Sequence, residues 1–193
     1  MTKPTSIFIS GRGSNMVAIA DAIRDGRIAD AGIAVVVSDQ PDAPGLTIAQ
    51  ERGLKTVAIE RASRKREEHE KEILSVLRDE GVVLICLAGY MRVLSPFLVD
   101  AFKNRILNIH PSLLPAFPGL HAQRQALEHG AKVSGCTGHL VDNTLDGGPI
   151  IAQRTVPVLP DDTEESLSAR ILEQEHILYP EAVASVLGTH NRG

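Results

Sequence analysis

Tryptophan is absent from this chain and aromatic residues are scarce, with two Tyr and four Phe making up 3% of 193 residues. So few flat side chains argue against a base-stacking platform for nucleic acid. Cysteine numbers two, Cys86 and Cys136, each inside an apolar run. That argues against a disulfide framework and against cysteine-based metal binding, and both thiols are expected to be buried and reduced. No apolar stretch approaches the ~20 residues of a membrane span, so no membrane partner is expected. The chain passes directly into Ser6-Ile7-Phe8-Ile9-Ser10 without the three regions of a secretory signal, and a cytoplasmic location is expected. A strong excess of one charge is also missing: the net charge is -4, which argues against nucleic acid as the main partner. Repeats, low-complexity tracts and linkers are lacking, so residues 1–193 are expected to form one domain.

What is present is an alternation of short apolar runs with longer segments of helical period, the pattern of an α/β sheet. Strands are expected at Ser6–Ser10, Ile33–Ser38, Thr56–Ile59, Val82–Ala88, Ile106–His110, Gly135–Val141 and Ile150–Val158. Val82–Ala88 is apolar at every position, as a central parallel strand covered on both faces would be. Helices are expected near Asn15–Asp25, Leu46–Arg52, Arg64–Asp79, Ser95–Lys103, Ala122–Glu128 and Glu164–Leu187. Ser95-Pro96 is a start signal, with Ser as N-cap, and Pro180 is expected to kink or interrupt the last helix. The charged run Arg61–Glu72 reads as a solvated helix face.

Three motifs carry chemistry. Gly11-Arg12-Gly13-Ser14-Asn15 follows the first strand and opens the first helix, where backbone amides lack partners and attract an anion. The loop has neither the third glycine of a dinucleotide fingerprint nor the Gly-Lys-Ser/Thr of a Walker loop. A single phosphate monoester suits it; the competing reading is a plain turn capped by Ser14 or Asn15. Asn108 and His110 sit two apart at the end of an apolar run, so they share one side of a strand. Leu145-Asp146-Gly147-Gly148-Pro149 supplies a carboxylate on a tight loop. Amide, imidazole and carboxylate together suit acyl transfer. Read without chemistry, Asn108 and His110 simply finish a strand.

Taken in order, these motifs resemble the phosphoribosylglycinamide formyltransferases, the folate-dependent glycinamide ribonucleotide transformylases of the purine pathway. The resemblance also rests on Leu87-Ala88-Gly89-Tyr90-Met91-Arg92-Val93-Leu94-Ser95, Pro118-Gly119-Leu120-His121 and Glu175-His176-Ile177-Leu178-Tyr179-Pro180. It implies a Rossmann-like three-layer α/β fold with a mostly parallel mixed central sheet flanked by helices. It implies formyl transfer from N10-formyltetrahydrofolate, as cosubstrate, to the primary amine of glycinamide ribonucleotide. The catalytic trio falls on Asn108, His110 and Asp146. The substrate phosphate falls on Gly13, Ser14 and Asn15, aided by Arg66, with Glu175 near the glycinamide end. Folate contacts fall on Arg92, Val93, Leu94 and Asn108, and the segment Val141, Asp142 to Asp146 closes over the pterin. Tyr90 stands where Phe is common in that family. Gly138 stands where Val is usual, which would loosen the strand or leave room for a ligand.

Among the remaining histidines, His121 either positions substrate or caps a turn, and His139 reads as a satisfied core residue or a support to the site. His69, His129 and His190 read as surface residues, and His176 as a support to its helix. Ser112 carries no sign of an activated nucleophile. The histidines and carboxylates show no metal-ligand spacing, so no metal is expected. A monomer or homodimer fits equally. Three other readings stay open. A formyltransferase acting on methionyl-tRNA or an amino sugar normally carries an additional domain. A formyltetrahydrofolate hydrolase normally carries a domain ahead of the first strand. A catalytically silent folate- or nucleotide-binding module is the third.

Overall fold

Apolar alternation on seven short strands builds the central layer. In the computed structural model, which describes residues 1–189, the strands are β1 (Lys3–Ile9), β2 (Ala31–Ser38), β3 (Thr56–Ala58), β4 (Leu84–Leu87), β5 (Ile106–His110), β6 (Val133–Leu140) and β7 (Ile150–Pro157). They lie in the order β3-β2-β1-β4-β5-β6-β7. The first five are parallel, whereas β6 runs antiparallel to both β5 and β7. The helices are α1 (Ser14–Arg24), α2 (Pro44–Glu51), α3 (Arg66–Asp79), α4 (Pro96–Ala101), α5 (Ala122–Glu128) and α6 (Glu164–Thr189). The expected mostly parallel mixed sheet is what the chain forms.

Each face of the sheet has its own core. Ile7, Ile9, Val36, Cys86 and Leu107 pack with Met16, Ile19, Leu46, Leu167, Tyr179 and Val183 of α1, α2 and α6. Phe8, Val35, Val37, Ile85 and Ile106 pack with Ile73, Leu77, Leu98 and Val99 of α3 and α4. Full burial of such a side chain contributes about 1.5–3 kcal/mol. On β5 the same alternation sends Leu107 and Ile109 to the first face, leaving Asn108 and His110 on the side of Ile106.

β1 pairs with β2 on one side and β4 on the other, so the strand order reverses at β1. A crevice beyond the carboxyl ends of strands at such a switch point is where open α/β sheets bind ligands. The glycine loop after β1 and the 89–92 segment after β4 meet there, joined by Ser10 N–H to Gly89 O at 3.2 Å.

Three expectations need correction. α6 runs without interruption through Pro180, held on both sides by buried Leu178, Tyr179, Ala182 and Val183. His69 is buried rather than exposed, its Nε2–H donating to Ile59 O at 2.6 Å. The charged run is accordingly not a purely solvated face: Glu70 is also buried, and both the backbone N–H and the hydroxyl of Ser95 bond to its carboxylate. Ser95 thus precedes α4 as expected, but its hydroxyl is spent on Glu70 rather than on capping the helix. His129 is exposed as expected, and His190 lies outside the described residues. Both cysteines are free and buried, and burial pushes the Cys136 thiol up to about 12.

Candidate active site

Asn108 and His110 face β6 in antiparallel register with His139 and Thr137. Thr137 fixes the loop that leaves β5. Its hydroxyl donates to Ser112 O at 2.7 Å and accepts Leu114 N–H at 3.0 Å. That loop returns the Phe117 carbonyl to His110, whose Nε2–H donates to it at 3.0 Å. Ser112 donates to Phe117 O at 3.2 Å and also to Ala116 O, so its hydroxyl proton is held by backbone carbonyls.

The Asp146 carboxylate closes the arrangement. Its Oδ2 accepts Gly119 N–H at 2.8 Å and lies 3.6 Å from His110 Nδ1. Its Oδ1 lies 4.0 Å from His139 Nε2. The turn that carries it is tight. Asp146 has φ 50, a left-handed conformation that Asp tolerates better than most residues. A Cβ on Gly148 would fall 1.8 Å from Leu140 O, so only glycine fits there. His139, not expected to belong to the trio, holds its amide. Its Nδ1–H donates to Leu140 O at 3.0 Å, leaving Nε2 to accept the Asn108 side-chain N–H at 3.2 Å. Burial lowers the pKa of this ring and keeps it neutral. A register shift between Gly138 and His139 in the β6–β7 pairing occurs at this point, as bulges near functional sites often do.

The glycine loop is the second part. Gly13, not Ser14 or Asn15, occupies the N-cap position of α1, with φ 73 and no side-chain cap. Asn15 instead donates its side-chain N–H to Glu175 Oε2 at 2.9 Å, and its own Oδ1 is buried with no hydrogen-bond partner among the described residues. Gly45 at the start of α2 locks the loop from outside. Its N–H donates to Gly11 O at 2.9 Å, and a Cβ there would meet that oxygen at 2.8 Å. Glu175 precedes Tyr179 by one helical turn, so both occupy one face of α6. The Tyr179 hydroxyl is shared between Leu87 O at 2.7 Å and Leu107 O at 2.9 Å, which docks α6 on the ends of β4 and β5.

The third part is a cavity of 210 Å³ lined by Arg61, Arg66, Tyr90, Arg92, Val93 and Leu94, together with the buried His69 and Glu70. Arg66 is thus grouped with Arg92, Val93 and Leu94. Val141, like Tyr90 and Leu94, packs against the second core. Asp142 is exposed, and its Oδ1 accepts Thr144 N–H at 2.8 Å. His121 is exposed, and its Nδ1 lies 3.7 Å from Glu164 Oε1. Gly138 opens no ligand space, because Ala182 of α6 fills the position, 3.1 Å from where a Cβ would stand. Sequence reasoning missed Ser10, Asp39 and Gly45. Asp39 sits at the carboxyl end of β2, the end of an α/β sheet where functional residues gather, and that was the available signal.

The model of the formyl transferase family matches residues 5–183. The chain belongs to the formyl transferase family. Among its relatives, the phosphoribosylglycinamide formyltransferase of Bacillus subtilis is 42% identical over 192 residues, covering 99% of this chain and 98% of that protein. The trifunctional purine biosynthetic protein adenosine-3 of Drosophila melanogaster is 46% identical over 187 residues, 96% of this chain. This formyl transferase spans only 14% of that much longer protein. The crystal structure of glycinamide ribonucleotide transformylase 1 from Symbiobacterium toebii superposes with a TM-score of 0.92 at 51% identity, covering 95% of this chain and 86% of that one. Among the described residues of this formyl transferase, no group of three or more His, Cys, Asp or Glu is arranged to hold a metal, and no helix is long and apolar enough to cross a membrane.

Proposed function

We propose that this formyl transferase moves the formyl group of N10-formyltetrahydrofolate directly onto the primary amine of glycinamide ribonucleotide. The carrying observation is the convergence of Asn108, His110 and Asp146 around His139, described above.

The neutral amine attacks the formyl carbon, forming a C–N bond while the carbonyl electrons move to oxygen. Asn108 donates a side-chain N–H to that oxygen, and His110 stabilises it as well. Preorganised donors of this kind contribute about 3 kcal/mol each. The tetrahedral carbon then collapses, its bond to the folate nitrogen breaks, and the proton lost by the amine must reach that nitrogen. The facing pair His110 Nδ1 and Asp146 Oδ2, 3.6 Å apart, supports a relay through these atoms or an intervening water. No acyl-enzyme is required, and the bonding of Ser112 to carbonyls supports that reading.

The phosphate is assigned to the amides of Gly13, Ser14 and Asn15, where glycine lets an anion approach a helix start. The Asn15–Glu175 pair would receive the donor-rich glycinamide end beside it. The folate is assigned to Arg92, Val93, Leu94 and Asn108, closed by residues 141–146. Because Arg66 lines the cavity of Arg92, we assign it to the carboxylate end of the folate rather than to the phosphate. The test is formation of formylglycinamide ribonucleotide by purified protein supplied with both substrates. Binding without turnover favours the silent module, and a formyl group trapped on the protein overturns direct transfer.

A further inference from the structure

Asp39 follows β2 with its side chain 1% exposed. Its carboxylate accepts the Ser10 hydroxyl at 2.5 Å, the Gln40 side-chain N–H at 3.3 Å and Arg92 Nε–H at 2.7 Å. Arg92 is its one ion-pair partner among the described residues. A carboxylate this deeply buried needs such a partner, because desolvating it alone costs several kcal/mol. The relation also runs the other way. Nε is the only Arg92 nitrogen bonded to protein among the described residues, so the carboxylate holds the guanidinium at Nε. The two terminal nitrogens remain available on a side chain that is 36% exposed and lines the 210 Å³ cavity. A rigid fork held this way is pre-organised for a carboxylate. Ser10 accepts Met91 N–H at 2.9 Å while donating to Asp39, so the backbone beside Arg92 hangs from the same acid.

We propose that Asp39 is a positioning residue for the cosubstrate: it aims the terminal nitrogens of Arg92 into the cavity, where they take a carboxylate of the folate. This rests on the assignment of reduced folate to Arg92. At neutral pH the carboxylates are the negative groups of a reduced folate, and they are what a guanidinium selects.

Steady-state kinetics of wild type, Asp39→Asn, Arg92→Lys and the double variant test it. Asp39→Asn keeps the size of the side chain and removes its charge. It is expected to raise the KM for the formyl folate about tenfold, with kcat and the KM for the ribonucleotide within about twofold. In the double variant the folate KM should match that of Arg92→Lys alone, since the amide oxygen of Asp39→Asn still accepts the Ser10 hydroxyl and only the charged hold on Arg92 is lost. Multiplying losses, or a fall in kcat and melting temperature without a change in folate KM, overturn the proposal in favour of a structural role. If Asp39→Asn does not fold, hydrogen exchange of Arg92 Nε–H in the wild-type protein decides it. Slow exchange, retained when folate binds, supports the proposal, and exchange at the rate of a free arginine overturns it. A wild-type protein that binds no formyl folate overturns the assignment beneath it and this inference together.

Discussion

Asn15 donates its side-chain N–H to Glu175 across 2.9 Å, joining the glycine loop after β1 to helix α6 through a buried pair. Burial pushes the Glu175 carboxyl up to about 7, and the bond from Asn15 offsets that only in part. The folded value lies above the ordinary 4.5, so between the two the folded protein holds more protons than the unfolded chain. Stability from this group is complete below the ordinary value and is lost as pH rises through about 7. Between about pH 5 and 8 the melting temperature of wild type should fall relative to that of Glu175→Gln. Melting curves that run parallel across that range would refute the linkage.

Asp146 faces His110 at 3.6 Å. Asp146→Asn can still accept Gly119 N–H through its amide oxygen but no longer offers a charge to the imidazole. Formyl transfer should fall by about a hundredfold or more, the scale of lost acid–base catalysis. Nucleotide affinity by calorimetry should change by less than about twofold, because the phosphate amides lie elsewhere. Equal loss of binding and turnover would count against the assigned role.

Gly45 touches the loop so closely that a Cβ would lie 2.6 Å from Ile9 Cδ1 and 2.8 Å from Gly11 O. The backbone oxygen cannot swing aside as a side chain can. Gly45→Ala should therefore displace Gly11 and Arg12, raising the KM for the ribonucleotide several-fold and lowering stability by about 1–3 kcal/mol. A variant with wild-type kinetics would show that the loop is not held from α2.

Gly138 is matched to Ala182, with 3.1 Å between a built Cβ and the alanine methyl. Gly138→Val overpacks this contact and should destabilise the protein by about 1–3 kcal/mol. Adding Ala182→Gly should recover part of the loss. Denaturant unfolding of the two variants checks this, and additive destabilisation would contradict the pairing.

Much of the architecture was legible in the residues. The strand and helix expectations fall on the observed elements, because a half-buried strand and an amphipathic helix each leave a short-range periodic trace. Asn108 and His110 could be placed on one side of β5 for the same reason. The Asn-His and Asp-Gly-Gly-Pro motifs also carried the family, which the match over residues 5–183 bears out. Other features left no local trace. His69 and Glu70 sit in a run of charged residues that looks solvated, and they are buried because α3 turns them toward Ile59 and Ser95. Gly138 looked like a gap, but whether a missing Cβ leaves space depends on what the opposite helix puts there.

From the chain of residues alone came the α/β class, the element order, the reduced cysteines and the candidate groups for acyl transfer. Those properties depend on composition and on neighbours a few positions apart. Tertiary structure alone decided that His139 holds Asn108, that Asn15 meets Glu175, that Arg66 lines the cavity of Arg92 and that Asp39 holds Arg92. Each of these pairs is distant in sequence. The packing of the helices on the sheet brings its members within reach, and no local pattern encodes where a side chain's partner will lie.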